Sequence, residues 1–295
     1  MSNHLFPRTP LALGLACCLT LGVAPGCSSS DDADSGGEGQ ASFNVYGEDY
    51  IEQEIPTSEF EDGWTITYSK FLIQVGNVTL ADSNESGGAT EGAVTLFDLK
   101  QPGPQELWQT AKIRSGGYDS VSYTVGPVSA PIKSNSVTDA DVTFMTSNGY
   151  GVYVEGSASN GTDTKTFKWG FTNTTHYKSC VQVDDAGNEV REGILVANGG
   201  IEQVQLTIHG DHLFYDDLTA ENAVLRFNAM AAADANADGD VTREELAAVQ
   251  LFDLTEGSYG TGSASGVNTL DDFVEALTTT LGHFRGEGHC VSHSE

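Results

Sequence analysis

An antiparallel β-sandwich followed by a short helical segment is the fold the sequence predicts, and three features predict it. Apolar residues alternate with polar ones from residue 41 to about 216, as in Phe71, Ile73 and Val75, in Val121, Tyr123 and Val125, and in Val204, Leu206 and Ile208. A period of two puts such residues on one face of a strand. Turn-forming clusters separate the runs, among them 82–88 (DSNESGG) and 157–161 (SASNG), with no long helical pattern between them, which favours antiparallel over parallel pairing. After Leu218 the period changes to that of helices.

The amino terminus precedes this body. Arg8 stands before an apolar run from Leu11 to Val23 that is too short to cross a bilayer, which predicts a cleaved export signal over residues 1–26. Ala24-Pro25-Gly26-Cys27 resembles the lipobox of bacterial lipoproteins. The resemblance implies that Cys27 becomes the lipidated first residue of the mature chain. Ser28 at the next position implies outer-membrane sorting, so the expected address is the outer membrane, the periplasm or the cell surface. Residues 27–40 then form a polar tether that reaches the membrane through lipid.

Within the body, residues 41–218 are expected to form the sandwich. Trp64, Trp108 and Trp169 are expected in its core rather than on a sugar-stacking face. Residues 219–295 are expected to form the helical segment and tail. Glu221 to Ala233 is rich in helix formers, with Val224, Phe227 and Ala231 on one stripe. Arg243 to Leu251 offers Leu246 and Val249, and a last helix is expected from Asn268 through Phe273, Ala276 and Leu277. Cys17 and Cys18 leave with the signal and Cys27 is consumed by lipid, so Cys180 and Cys290 remain to pair in an oxidising compartment. Such a bond closes a loop of about 110 residues and stabilises by roughly 4–5 kcal/mol in the chain-entropy model.

The chain carries 42 acidic residues against 13 basic ones, a formal charge of −29. Polyanions are poor partners for such a surface and divalent cations good ones, which excludes nucleic acid. Two sets of residues offer cation chemistry. The first is 234–246, DANADGDVTREEL, which resembles the calcium loop of the EF-hand family. The resemblance implies side-chain oxygens from Asp234, Asn236 and Asp238, a backbone carbonyl from Asp240, a hydroxyl or bridging water from Thr242, and both carboxylate oxygens of Glu245. Gly239 permits the sharp turn, and Val241 covers the site. No second loop of this spacing follows, so calcium affinity is expected in the weak extracellular range of about 10⁻⁴ to 10⁻³ M. The mainly β fold therefore becomes a sandwich with a carboxyl-terminal helical EF-hand segment.

The second set is the histidines, of which all but His4 lie after residue 175. His176, His209, His212, His283 and His289 are the candidates for copper or zinc, since imidazole with a nearby carboxylate suits both. Strand parity puts His209 on the outward face, with Asp211 beside it and His212 facing the other way. A Cys180–Cys290 bond brings His289 near the strand that carries His176.

The blocks at 63–68 (GWTITY), 70–73 (KFLI), 96–99 (LFDL), 116–119 (GGYD), 149–156 (GYGVYVEG) and 167–171 (FKWGF) look like those of the MbnP-type periplasmic copper-binding proteins, over roughly residues 60–215. The resemblance implies the sandwich. That family places a tryptophan-rich run before the Gly-Tyr strand, where this chain has Met145-Thr146-Ser147-Asn148, so its copper site is not carried over.

There is no phosphate-binding Gly-Lys loop, no nucleophile elbow and no HExxH helix in the sequence, and no enzymatic activity is expected. The residues point to a calcium-binding, lipid-anchored envelope protein that acts as a binding or structural module, with an unidentified protein or glycan as its ligand. The alternative is a copper or zinc carrier that uses the late histidines.

Overall fold

The longest strand shows how the two-residue pattern becomes architecture. Thr65–Ala81 is half-buried at both ends, but Phe71–Gly76 is buried on both faces, because this stretch lies in the middle of a sheet that is covered on both sides. The computed structural model describes residues 36–83, 87–220, 222–254 and 259–294. The export signal, Cys27 and most of the expected tether lie outside the described residues.

In chain order the first strands are β1 (Glu38–Tyr46), β2 (Thr65–Ala81), β3 (Gly88–Asp98), β4 (Gln105–Gln109), β5 (Ile113–Arg114) and β6 (Gly116–Tyr118). There follow β7 (Ser120–Val125), β8 (Ile132–Lys133), β9 (Val152–Ser159), β10 (Thr164–Phe171), β11 (Thr175–Val183) and β12 (Glu189–Glu192). The last are β13 (Ile194–Val196), β14 (Ile201–Ile208), β15 (Asp240–Val241), β16 (Gly282–Phe284) and β17 (His289–Ser294). The helices are α1 (Glu48–Glu52), α2 (Asp139–Asn148), α3 (Asn228–Ala232), α4 (Arg243–Ala248) and α5 (Leu270–Leu277).

The larger sheet runs β12-β11-β7-β2-β9-β10-β15, with β3 and β8 beyond β2 and β17 on β11; the smaller runs β16-β14-β1-β4, with β5 on β1. Pairing is mostly antiparallel, but β1 lies parallel to β14, so the first described strand sits beside one of the last. Phe43, Val45, Val204, Leu206 and Ile208 of the smaller sheet share one core with Phe71, Ile73, Val75, Tyr123 and Trp169 of the larger. Full burial of such a side chain stabilises by about 1.5–3 kcal/mol. Trp64 and Trp169 are buried, and Trp108 stacks on Phe43 at 5.5 Å. Phe227, Met230, Val241, Leu246, Leu270 and Val274 join the same core, so the carboxyl-terminal helices close the sandwich instead of hanging from it. Among the described residues no helix is long and apolar enough to cross a membrane.

Four expectations are corrected. The region 41–218 contains a ten-residue helix, α2, capped by Thr138 and Asp141 and stopped by Gly149 in the left-handed conformation. It covers the outer face of the larger sheet with Met145 packed on Leu72, Leu96 and Tyr153. The helix expected over Glu221–Ala233 shortens to Asn228–Ala232, because Leu225 is drawn into bridges with Phe60 and Tyr215. Strand β1 begins at Glu38, inside the expected tether, since its amino end pairs with β5. The last helix starts one residue later than expected, with Thr269 as its cap.

Cys180 and Cys290 form a disulfide. It fastens β17 to β11, where Val181 stands opposite His289 and His176 opposite His293.

Candidate metal centre

Strand register and one tight turn bring three histidines together. Thr207 of β14 stands opposite His283 of β16. Two residues on, position 209 falls on the same face as Thr207 and therefore beside His283. The strand ends at Ile208 and the chain turns into a 3₁₀ segment, Gly210–Phe214. In that geometry residues three apart lie over one another, so His212 returns to the side of His209. Gly210 makes the turn possible: a Cβ there would lie 2.6 Å from Ile51 Cγ1. Tyr68 donates to the Gly210 carbonyl at 2.6 Å and pins the turn to the core. The backbone N–H of His209 donates to Leu281 at 2.9 Å, and Tyr123 donates to the carbonyl of His283 at 3.2 Å.

The ring centroids lie 4.1 Å apart for His209 and His283, 4.9 Å for His212 and His283, and 5.1 Å for His209 and His212. One nitrogen from each ring lies within 4.8 Å of the others. His209 is 6% exposed and His212 7%. The expectation of an outward His209 with His212 turned away is thus overturned: the face that His209 shares with Thr207 is itself buried, and the 3₁₀ turn brings His212 back to it.

The hydrogen-bond network sets the tautomer of His212. Thr280 Oγ1 donates its one hydrogen to Leu277 at 2.8 Å, so at 3.1 Å from His212 Nδ1 it accepts. Nδ1 then carries the ring proton and Nε2 the lone pair. His209 Nε2 and His283 Nδ1 are buried and have no hydrogen-bond partner, a costly condition for a polar atom in a core. Burial, then the charge of His209, pushes the His283 imidazole down to about 3. Burial pushes His212 well below its ordinary value too, with His283 and His209 adding to the effect. Both rings are neutral at physiological pH, the form that binds metal.

Carboxylates adjoin the histidines. Glu48 Oε2 lies 3.7 Å from His209 Nε2, and Glu48, His209 and Glu287 form a second group with ligand atoms within 4.8 Å. Glu48 adopts a φ of 54°, a left-handed conformation unfavourable for a residue with a Cβ. Burial raises its carboxyl above the usual range, while His209 acts the other way. Asp211 is buried, its Oδ1 is unpartnered, and burial raises its carboxyl too, again against His209.

Two predicted histidines lie elsewhere. His176 is on β11 with Nδ1 3.1 Å from Thr124 Oγ1. His289 is more than half exposed, 3.6 Å from Glu189. Both sit on the β11–β17 ladder, and among the described residues neither belongs to a group of converging ligand atoms. Glu48 and Glu287 were not found from sequence, because an isolated carboxylate in so acidic a chain carries no signal.

The loop at 234–245 is organised around Asp234, whose side chain is fully buried and paired with the Lys165 ammonium. Asp234 accepts from the N–H of Asp238 at 3.2 Å and of Gly239 at 3.0 Å. Gly239 takes a φ of 88°, as expected for the sharp turn. Asp240–Val241 pairs with Thr166–Phe167 of β10, and Thr242 and Glu245 form the capping box of α4. Asn236 and Asp238 bond to each other at 2.9 Å, and Asp240 accepts from Thr166 at 2.8 Å. Among the described residues, neither group of three His, Cys, Asp or Glu ligand atoms within 4.8 Å draws on this loop.

The site thus defines a β-sandwich with three converging imidazoles able to hold a metal ion. No protein family profile matches the chain, and no curated protein matches it. Among solved structures the chain is similar to MbnP from Methylosinus trichosporium, at 13% identity over 58% of this chain and 75% of that one, with a TM-score of 0.28. A likeness of that depth carries no argument about this chain.

Proposed function

We propose that the protein binds one copper or zinc ion at His209, His212 and His283, as an exported and lipid-anchored module of a bacterial envelope without catalytic activity. The observation that carries the reading is the meeting of three imidazoles from the end of β14, the following turn and β16, two of them buried and the third half-buried, with orphaned nitrogens on His209 and His283. Three imidazole nitrogens with open positions suit copper and zinc better than calcium or magnesium, which prefer oxygen. Metal-free protein titrated with copper(II) or zinc is expected to take up one equivalent with nanomolar to micromolar affinity. Binding that persists unchanged in both His212→Ala and His283→Ala would refute this centre.

A second, structural calcium position at Asp234, Asn236, Asp238, Asp240, Thr242 and Glu245 is supported by one observation: the pairing of Asp240–Val241 with β10. That contact gives the lone loop a stiff neighbour where a second hand is absent. Calorimetry with calcium tests it, and Glu245→Gln is expected to abolish the heat. The lipid at Cys27 is tested by mass spectrometry of the mature protein from a bacterial host, where an unmodified Cys27 would refute it.

A further inference from the structure

The two ligand groups share His209, and they differ in depth. His212 and the 3₁₀ turn lie inside, whereas Glu287 is exposed and Glu48 half-buried. Glu48 and Glu287, with Tyr46, Asp49 and Tyr50, line an open pocket of about 350 Å³. His209, 6% exposed and unpartnered at Nε2, lies behind it with Glu48 Oε2 at 3.7 Å. Asp211 Oδ1, also buried and unpartnered, adds negative potential at the same depth.

A neutral imidazole has one lone pair. His209 therefore serves one ion at a time, and the two groups cannot both be filled through it. They are alternative positions for a single ion, one open to solvent and rich in carboxylate, the other enclosed and rich in imidazole. The harder oxygen set exchanges ligands with water readily and the nitrogen set holds copper or zinc more firmly.

Resting on the proposed centre, we infer that Glu48, His209 and Glu287 form a loading station, where a divalent transition-metal ion docks from solvent before His209 hands it inward to His212 and His283. Glu48 and Glu287 are station ligands, and His209 is the ligand common to both positions. The left-handed φ of Glu48 is the backbone distortion that holds its carboxylate at the boundary between them.

The test is stopped-flow binding of copper(II) to the full mature chain, followed by quenching of tryptophan fluorescence. Glu287→Gln is expected to slow association at least tenfold and to weaken the final affinity far less, because the ion ends at the histidines. Asp49→Asn removes an equal charge from the same pocket without removing a ligand, and is expected to change the rate less than twofold. The double variant His212→Ala/His283→Ala is expected to keep a weaker copper site, which adding Glu287→Gln removes. The station is overturned if Glu287→Gln leaves the rate unchanged, if Asp49→Asn slows it equally, or if two copper ions bind the paired groups at once. It is also overturned if Glu287→Gln acts by accelerating dissociation, since Glu287 then belongs to the final site. Failure of the wild type to bind copper at all removes the centre itself, a result distinct from any of these.

Discussion

The rings of His209 and His283 lie 4.1 Å apart and 31° from parallel, one just past the end of β14 and the other within β16. Thr207 opposite His283 sets this contact, and the 3₁₀ turn adds His212. The centre is thus as rigid as the ladder between those two strands.

Metal binding to the folded state alone raises stability by mass action. At one hundred times the dissociation constant the gain is about 2.7 kcal/mol, which for a chain of this size raises the melting temperature by roughly 5–10 °C. His212→Ala and His283→Ala are each expected to lose most of that shift with copper or zinc. Scanning calorimetry with and without metal measures it.

Acid destabilises the metal-free protein through the same rings. In the unfolded chain His283 takes up a proton near its ordinary value of 6.5, but in the folded protein only near 3. Its neutral form thus contributes stability that is fully present above about pH 6.5 and is lost as the pH falls toward 3, at a slope of up to about 1.4 kcal/mol per unit. His212 is depressed likewise and acts with the same sign. Glu48 and Asp211 are raised and act in the opposite sense: their stability is present at low pH and lost as the pH rises. Urea melts of wild type and His283→Asn at pH 7 and pH 5 isolate the histidine contribution. An equal loss in both proteins contradicts it.

The disulfide supports the centre from outside. Cys290 ties β17 to β11, and β17 joins β16, the carrier of His283, through Arg285–Gly288. Cys180→Ser together with Cys290→Ser is expected to destabilise by up to about 4–5 kcal/mol and to weaken copper binding at least tenfold. Denaturant melts and copper titration of the double variant read both effects.

If the proposed calcium position exists, Lys165 and calcium are expected to compete for Asp234. The ammonium is paired with a fully buried carboxylate, so Lys165→Met leaves that charge with only the N–H groups of Asp238 and Gly239 as partners. The metal-free variant is expected to be less stable than wild type and to bind calcium more tightly. Glu245→Gln is expected to lose the roughly 1.4 kcal/mol that calcium confers at ten times its dissociation constant. Calcium-independent melting of all three proteins would sink the calcium position.

Much of this was legible beforehand because it rests on local rules. Alternation placed Phe71, Ile73, Val75, Val204, Leu206 and Ile208 in the core, and elimination paired Cys180 with Cys290. The signals for α2 were present too, in Thr138 three residues before Asp141 and in Gly149 as a stop, but a helix amid strands was not expected. Glu221–Ala233 reads as helix by propensity, yet burial of Leu225 between Phe60 and Tyr215 outweighs that preference.

The sequence by itself determined the faces of the strands and the turn at Gly239, because each depends on neighbours a few residues away, and its composition set the excess of acid that favours cations. Only the tertiary structure decided which histidines meet. His209 and His212 converge through a turn whose position parity does not reveal, and His283 arrives through the register of β16 on β14. His176 and His289, equal candidates in the sequence, are held apart on another ladder. Long-range pairing follows from how the two sheets bury their shared core, and that balance is set by the whole chain at once.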